Sequence, residues 1–579
     1  MKLSAKDASL NSITTQVLKL FLLLATLTCL SACNVTHFEK NNAISLAQKG
    51  ELTSARTAIK RHYSSQGKNR LLYHLELATY FQLEKDYQQS NKHLTHAKDL
   101  LESFYTVSLS ETALSQFSGP TYTTFHGQRY YRPLLHVMKA LNYNALAIAQ
   151  PENRPALQDS ALVEMRQLNL YLEALTDETG GYNPSVNDKL TNQIYAILKP
   201  ILAPKALLSN IDYRDDAFAH YLSGVINEQN GELDSARLQY QRAASAYENG
   251  FAEQYQLPPD TTKQAYNNLA RVMTKSGGYE IELERLKGKI DPQQQNHLSQ
   301  LTVIQNIGVA PQRKQFNLVL TADHDSKALV MTPIPFGTHA ERQAQIQWFQ
   351  MLFADTSIFD MIQNYTMGDS SDVALGFVTK RLPLGGLWDN AKKVGLIDAL
   401  QYGARISVTY LAPPKERIKS TEIWVNGQKH SQLHPFHSIE LLTVQNALKN
   451  ANTEIQLALT REIVKAISAQ KLLQKTGLQQ HEVFGSLAKF ATSAVNAVTA
   501  AADTRQWQSL PAQIRVAQIP LPTGEHNIII KTQLNSGRVI NQTEQVNVSG
   551  QMSLWQTRTF IDAPPQSKSS TSSSIFNLD

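Results

Sequence analysis

Apolar positions recur about every 3.6 residues from residue 40 to residue 290, and at alternate positions in short runs beyond residue 295. The first pattern predicts packed helices. The second predicts strands over Gln315–Thr321, Arg405–Leu411, Glu422–Val425, Gln513–Ile519, His526–Thr532 and Gln545–Val548. Asn426-Gly427 and Asn535-Ser-Gly537 supply turn residues beside such runs. Two helical stretches, 454–475 and 483–502, interrupt the strands, and the second is rich in small residues from Leu487 to Ala501. The change of period falls near Asp291-Pro292. The expected fold is multidomain: an all-α helical repeat domain over 41–290, then an α+β domain with an immunoglobulin-like β portion over 295–562. Residues 563–579 are Ser/Pro-rich and predicted to be disordered.

Within the helical half the pattern repeats, and it resembles tetratricopeptide (TPR) repeats, helix pairs with small residues at the crossing and aromatics at fixed offsets. Segment 71–103 places Leu77, Ala78 and Phe81 on a first helix, Asp86-Tyr87 at the turn, and Leu94 and Ala97 on a second. Segment 217–249 places Gly224 at the crossing, Gly231-Glu232 at the turn, and Ala236, Tyr240 and Ala243 on the second helix. Tyr266, Leu269, Ala270, Met273 and Gly277 give a third match, and Gly50, Ala55 and Ile59 a half-match. Stacked pairs of this kind bury one continuous core and leave a concave face suited to a peptide or protein segment. Generic α-hairpins without solenoid register would carry the same helices.

The N-terminus changes the picture. Lys2, Lys6 and Lys19 lead into an 11-residue run, Leu20–Leu30, with the length of a signal-peptide core. Such a run is too short to span a bilayer as a helix, which takes about 20 residues. Leu30-Ser31-Ala32-Cys33 follows, and it resembles the lipobox of bacterial lipoproteins. The resemblance implies cleavage between Ala32 and Cys33, a signal peptide over 1–32, acylation of Cys33 and a lipidated tether over 33–40. With Asn34 and not Asp after the cysteine, it implies the outer membrane, facing the periplasm, with surface exposure left open. The chain has two cysteines, Cys29 and Cys33, so no disulfide framework and no cysteine chemistry is expected in the body of the protein. Losing the leader removes three Lys and one Asp, which lowers the net charge from +6 to +4. The basic excess is diffuse and gives no nucleic-acid footprint.

Four blocks, ALNY (140–143), ALVEMRQLN (161–169), FAHYLSG (218–224) and ADTRQWQSLP (502–511), resemble the signature blocks of an uncharacterised family of bacterial tetratricopeptide lipoproteins. The resemblance covers nearly the whole mature chain and implies architecture without a mechanism. It departs in one place: Tyr130-Tyr131 follow Phe125-His126-Gly127 where the family tends to carry a carboxylate.

Candidate groove or partner-binding residues are Tyr143, Glu164, Arg166, Asn169 and Tyr240. An Arg there could take a carboxylate in a fork, while a mutually satisfied polar network between helices is the competing reading. Asp503, Arg505 and Trp507 form a second motif: an exposed Trp beside Arg would suit a sugar or a protein partner, and a buried one would plug a seam. His430, His434 and His437, with Glu440 nearby, carry zinc-ligand chemistry, but Pro435 prevents one helical face and favours a solvated loop. Asp323-His324-Asp325 reads as a hairpin tip, and Asp369 and Asp372 as a polar loop. No hydrolase, metalloprotease or nucleotide-binding motif occurs. The expectation is a non-enzymatic envelope scaffold without a cofactor. It would bind periplasmic or outer-membrane proteins and the membrane through its lipid. A metal-dependent envelope hydrolase and a peptidoglycan- or glycan-binding module are the alternatives.

Overall fold

A computed structural model describes residues 43–118, 123–177, 189–202, 213, 215–291, 299–353, 358–367, 378–401, 403–476 and 501–561. Ala32, Cys33 and the rest of the leader, the tail, nearly all of the predicted helix 483–502 and Asp369–Asp372 lie outside them. The chain forms two units, Met1–Ser64 with Ala563–Asp579, and Ser65–Asp562. In the first, a helix over 43–48 turns at Gly50, where φ is +84°, into α1 (Leu52–His62).

The second unit opens with helices α2 (Arg70–Leu83), α3 (Tyr87–Ser118), α4 (Tyr131–Ala149), α5 (Arg154–Asp177), α6 (Lys189–Ile201), α7 (Ala217–Gln229), α8 (Leu233–Ala246), α9 (Pro259–Ser276) and α10 (Glu280–Leu286). α2 packs on α3, α4 on α5, and α8 on both α7 and α9. Local chemistry sets the ends. Asp216 caps α7 by accepting from the Ala219 amide at 2.9 Å. Pro259 occupies the first turn of α9, and Gly277, at φ +70°, ends it. Gly224 shows why a small residue is needed at the α7–α8 crossing: a Cβ there would sit 2.5 Å from the Tyr240 ring. Tyr240 is fully buried in the space that Gly224 leaves.

The second half is built from strands with inserted helices. β1 (Ser299–Ile307), β8 (His434–Ser438), β9 (Gln513–Leu521) and β12 (Met552–Thr559) form one sheet, in the order β12-β1-β9-β8. β6 (Ile418–Val425), β7 (Gln428–Gln432), β10 (Gly524–Leu534) and β11 (Val539–Val548) form another, in the order β11-β10-β6-β7. Their inner faces share one core, with Leu301, Val303 and Ile519 meeting Ile423, Ile528 and Ile530. Pairing is antiparallel except between β1 and β12, which run parallel. Asn426 (φ +49°) and Gly427 (φ +86°) make the tight turn from β6 to β7.

Between β1 and β6 the chain forms a third sheet, ordered β4-β3-β2-β5, from β2 (Gln312–Asp323), β3 (Ala328–Ile334), β4 (Lys380–Pro383) and β5 (Ala404–Ala412). Helices α11 (His339–Leu352), started by a Thr338–Glu341 capping box, and α12 (Ile358–Met367) accompany it, with two short helices, Trp388–Lys393 and Leu396–Ala399, before β5. α13 (Ile439–Thr476) packs on β5 and on α6. It starts earlier than the 454 expected, and its first two turns are buried all round, Ile439, Leu441, Leu442 and Val444 alike. The molecule is therefore mixed, a helical first half followed by antiparallel and mixed sheets with helices. The change near residue 291 marks a change of secondary structure, while both halves share one compact unit. Among the described residues no helix is long and apolar enough to cross a membrane.

Candidate functional site

Most residues expected to line a groove tie helices together instead. Glu164 is buried between α4 and α5, with Oε2 2.7 Å from His136 Nδ1 and Oε1 2.6 Å from Lys139 Nζ. Burial alone would raise the Glu164 carboxyl, but its bonds to His136 and Lys139 hold it below the usual carboxylate range. Tyr143 is half-buried on α4, and burial with the Glu164 charge raises its hydroxyl. Asn169 donates to Ser223 Oγ at 3.3 Å, joining α5 to α7. Arg166 is exposed and pairs with Glu232 at 3.2 Å. Tyr240 donates to Glu228 at 3.1 Å, and Arg271 and Lys275 also hold that carboxylate. These groups bond mostly to one another, with His136 Nε2 and Asn169 Oδ1 left over, and form no single open surface.

The second motif is a wedge. Trp507 is fully buried between α2 and α4: its indole nitrogen donates to Thr79 Oγ1 at 3.0 Å, and its amide donates to Tyr131 Oη at 2.9 Å. Arg505 holds Asp503 in a fork at 2.8 Å and donates to Asn69 Oδ1 at 3.1 Å and to the Thr123 carbonyl at 2.7 Å. Gln508 donates its amide to buried Glu76, whose carboxyl is pushed up to about 7 by burial, against the opposing bonds from Ser509 and Gln508. Trp507 offers no face to a sugar. The same wedge explains the Tyr at position 131, whose hydroxyl receives the backbone there.

The histidines separate. His430 is exposed on β7, and His434 is half-buried on β8, 3.9 Å from Asp260. His437 is buried, with Nε2 3.2 Å from Asp216, the residue that caps α7. β-strand alternation and the bulge between Pro435 and His437 send these rings to different surroundings. Among the described residues no group of three His, Cys, Asp or Glu is placed to hold a metal ion.

One feature went unsignalled in the sequence. A cavity of about 690 Å³ opens where the C-terminal ends of α2, α4 and α7 meet β11 and β12. Leu83, Ala145, Ile148, Val546 and Leu554 line its apolar part, and Lys85, Arg154, Glu544 and Arg558 are its charged residues. Lys85 and Glu544 pair at 3.0 Å in an exposed position. Among the described residues, the Arg154 guanidinium bonds only to the Ala147 carbonyl, at 3.4 Å, and the Arg558 guanidinium only to the Ser509 carbonyl, at 3.3 Å. The Arg558 guanidinium also lies over the Phe560 ring, 4.7 Å from its centroid. Burial lowers the Arg558 guanidinium to about 9. Asn144 crosses from α4 to the edge of β12, donating to the Leu554 carbonyl at 2.9 Å. β11 and β12 are both edge strands, so the cavity runs beside the open edges of two sheets. A site so built can hold an extended chain: edge strands offer backbone pairing, the apolar wall offers burial, and the basic excess favours an acidic group. Nothing short of the fold would have found it, because its walls come mainly from residues 82–158 and 544–558.

No protein-family model, curated protein or solved structure matches the chain.

Proposed function

We propose that this chain is a lipid-anchored scaffold of the bacterial outer membrane, held through Cys33, that binds a protein segment of the periplasm or outer membrane. The carrying observation is the cavity between the helix ends and the open edges of β11 and β12. Close helix crossings such as Gly224 on Tyr240 support a TPR-like reading of the first half, and the two facing sheets support an immunoglobulin-like reading of the β portion. Both halves then contribute to a single binding surface, because the helices set a rigid wall against which the sheet edges present their backbone.

Affinity capture from crosslinked envelopes tests the reading. The wild-type chain and the surface variant Arg166→Ala retain a stoichiometric partner, and Ala145→Trp, which fills the cavity from a half-buried position, loses it. No partner from the wild type, or the same partner from Ala145→Trp, overturns the proposal. Cys33→Ala moves the protein to the soluble fraction; retention in the membrane sinks the anchor.

A further inference from the structure

Orphaned polar atoms gather in the lining of this cavity. Among the described residues, Arg558 Nε and Nη1 are shielded from solvent and have no acceptor, Gln556 Nε2 has no acceptor, and Asn144 Oδ1 has no donor. Orphaned buried atoms occur elsewhere too, as at Glu76 Oε2 and Asn169 Oδ1, but these four belong to residues that border one cavity a ligand can enter. Its chemistry can be read from what each atom lacks: Arg558 lacks an oxyanion, Gln556 a carbonyl, and Asn144 an N–H.

The edge of β12 adds to this. The Gln551 and Thr559 carbonyls accept from Gln300 and Gly308, so the odd residues of β12 face β1. The even residues turn their amides and carbonyls outward, as the Leu554 carbonyl shows by accepting from Asn144 and the Arg558 carbonyl by accepting from Gln542. Gln556 lies between these two covered points, and its backbone groups face away from β1.

We infer that the cavity takes an acidic peptide segment in extended form, with a carboxylate on Arg558 and its backbone between Asn144 and Gln556. The inference rests on the scaffold reading of the cavity and names the chemistry of its partner. An Arg fork binds carboxylate and phosphate alike. A peptide, unlike inorganic phosphate, also brings the N–H that Asn144 Oδ1 lacks and the carbonyl that Gln556 Nε2 lacks. Two cations without a carboxylate among the described residues, Arg154 and Arg558, favour negative charge at the site. Seating requires the Arg558 fork to turn into the cavity that its side chain borders.

The test uses the purified chain and fluorescein-labelled octapeptides that alternate Val with Glu, with Gln or with Lys, read by anisotropy. The Glu series binds the wild type best. Arg558→Gln weakens it about tenfold or more, and Arg558→Lys weakens it less, since charge survives and the fork does not. Thermal unfolding confirms that each variant is folded, and Arg166→Ala serves as the surface control. Equal binding of all three series, no binding of any, or an unchanged affinity in Arg558→Gln overturns the inference. Saturation by inorganic phosphate with no peptide bound assigns the oxyanion to a phosphoryl ligand and also overturns it. If every peptide fails while Ala145→Trp still abolishes envelope capture, the scaffold reading stands and this one falls. If the Glu series binds through Arg558 and no envelope partner is found, the reverse holds.

Discussion

Arg505 and Arg558 both sit where the helical half meets the β half, and they could hardly be treated more differently. Arg505 has Asp503, Asn69 and the Thr123 carbonyl around its fork, and it anchors a segment carrying a fully buried Trp. Arg558 has one long bond to the Ser509 carbonyl and, among the described residues, no carboxylate. An unpaired buried charge is costly, whereas a paired and hydrogen-bonded one is tolerated. The Arg505 fork is thus filled within the molecule, and the Arg558 fork is filled only with something added. The contrast separates a structural contact from a site more sharply than residue type does.

Four substitutions put this contrast to the test. The largest effect belongs to the closed junction. Trp507→Ala destabilises by about 3–5 kcal/mol through a cavity and the lost indole bond to Thr79, read by chemical denaturation. Little loss would mean that the wedge closes without its aromatic plug. Next is Glu76, the carboxyl beneath the same wedge. Its pKa in the folded protein, about 7, lies above its ordinary value of 4.5. The protonated form is therefore the stable one, and this contribution is present below pH 4.5 and lost as the pH rises through 7. The loss amounts to about 3 kcal/mol. Glu76→Gln removes that slope, so the variant gains on the wild type at pH 8 and not at pH 4. An equal difference at both pH values would contradict the assignment.

At the open junction the sign reverses. Arg558→Met raises the stability of the ligand-free chain by about 1–2 kcal/mol, because an apolar side chain has no charge to leave unpaired. A clear fall in melting temperature would show that Arg558 is a structural residue like Arg505. The smallest effect is Arg166→Ala. Its pair with Glu232 is exposed, and the change stays within about 0.5 kcal/mol. A larger loss would mean that the packing of α5 against the α7–α8 turn depends on that pair.

What the sequence made legible follows the range of the interactions. Period-two runs located β2, β5, β6, β9, β10 and β11, because alternation is written locally. β7 and β8 escaped because they hold polar and histidine residues, Gln428–Gln432 and His434–Ser438, that pair at the sheet margin. β12 escaped because its burial comes from β1 and from the helices, both remote in sequence. Small and large residues at helical offsets announced the Gly224–Tyr240 crossing. The polar residues were harder: Glu164 and Arg166 are two apart in the chain, yet one is locked inside and the other faces water. The cavity was invisible for the same reason as β12. Its key cation sits in a strand whose local pattern says nothing about which partners are absent.

The parallel pairing of β1 with β12 has a consequence in time. β1 at 299–307 must wait for β9 at 513–521 and for β12 at 552–559. Loop closure of that span comes late and slowly, since distant contacts are entropically dear to form. The helices can collapse first, but α2 and α4 then hold an open slot until Trp507 arrives. Nascent chains of this protein therefore carry an unfilled helical seam until Trp507 emerges and an unpaired first strand until β9 does. Those two surfaces are where a chaperone would find its grip.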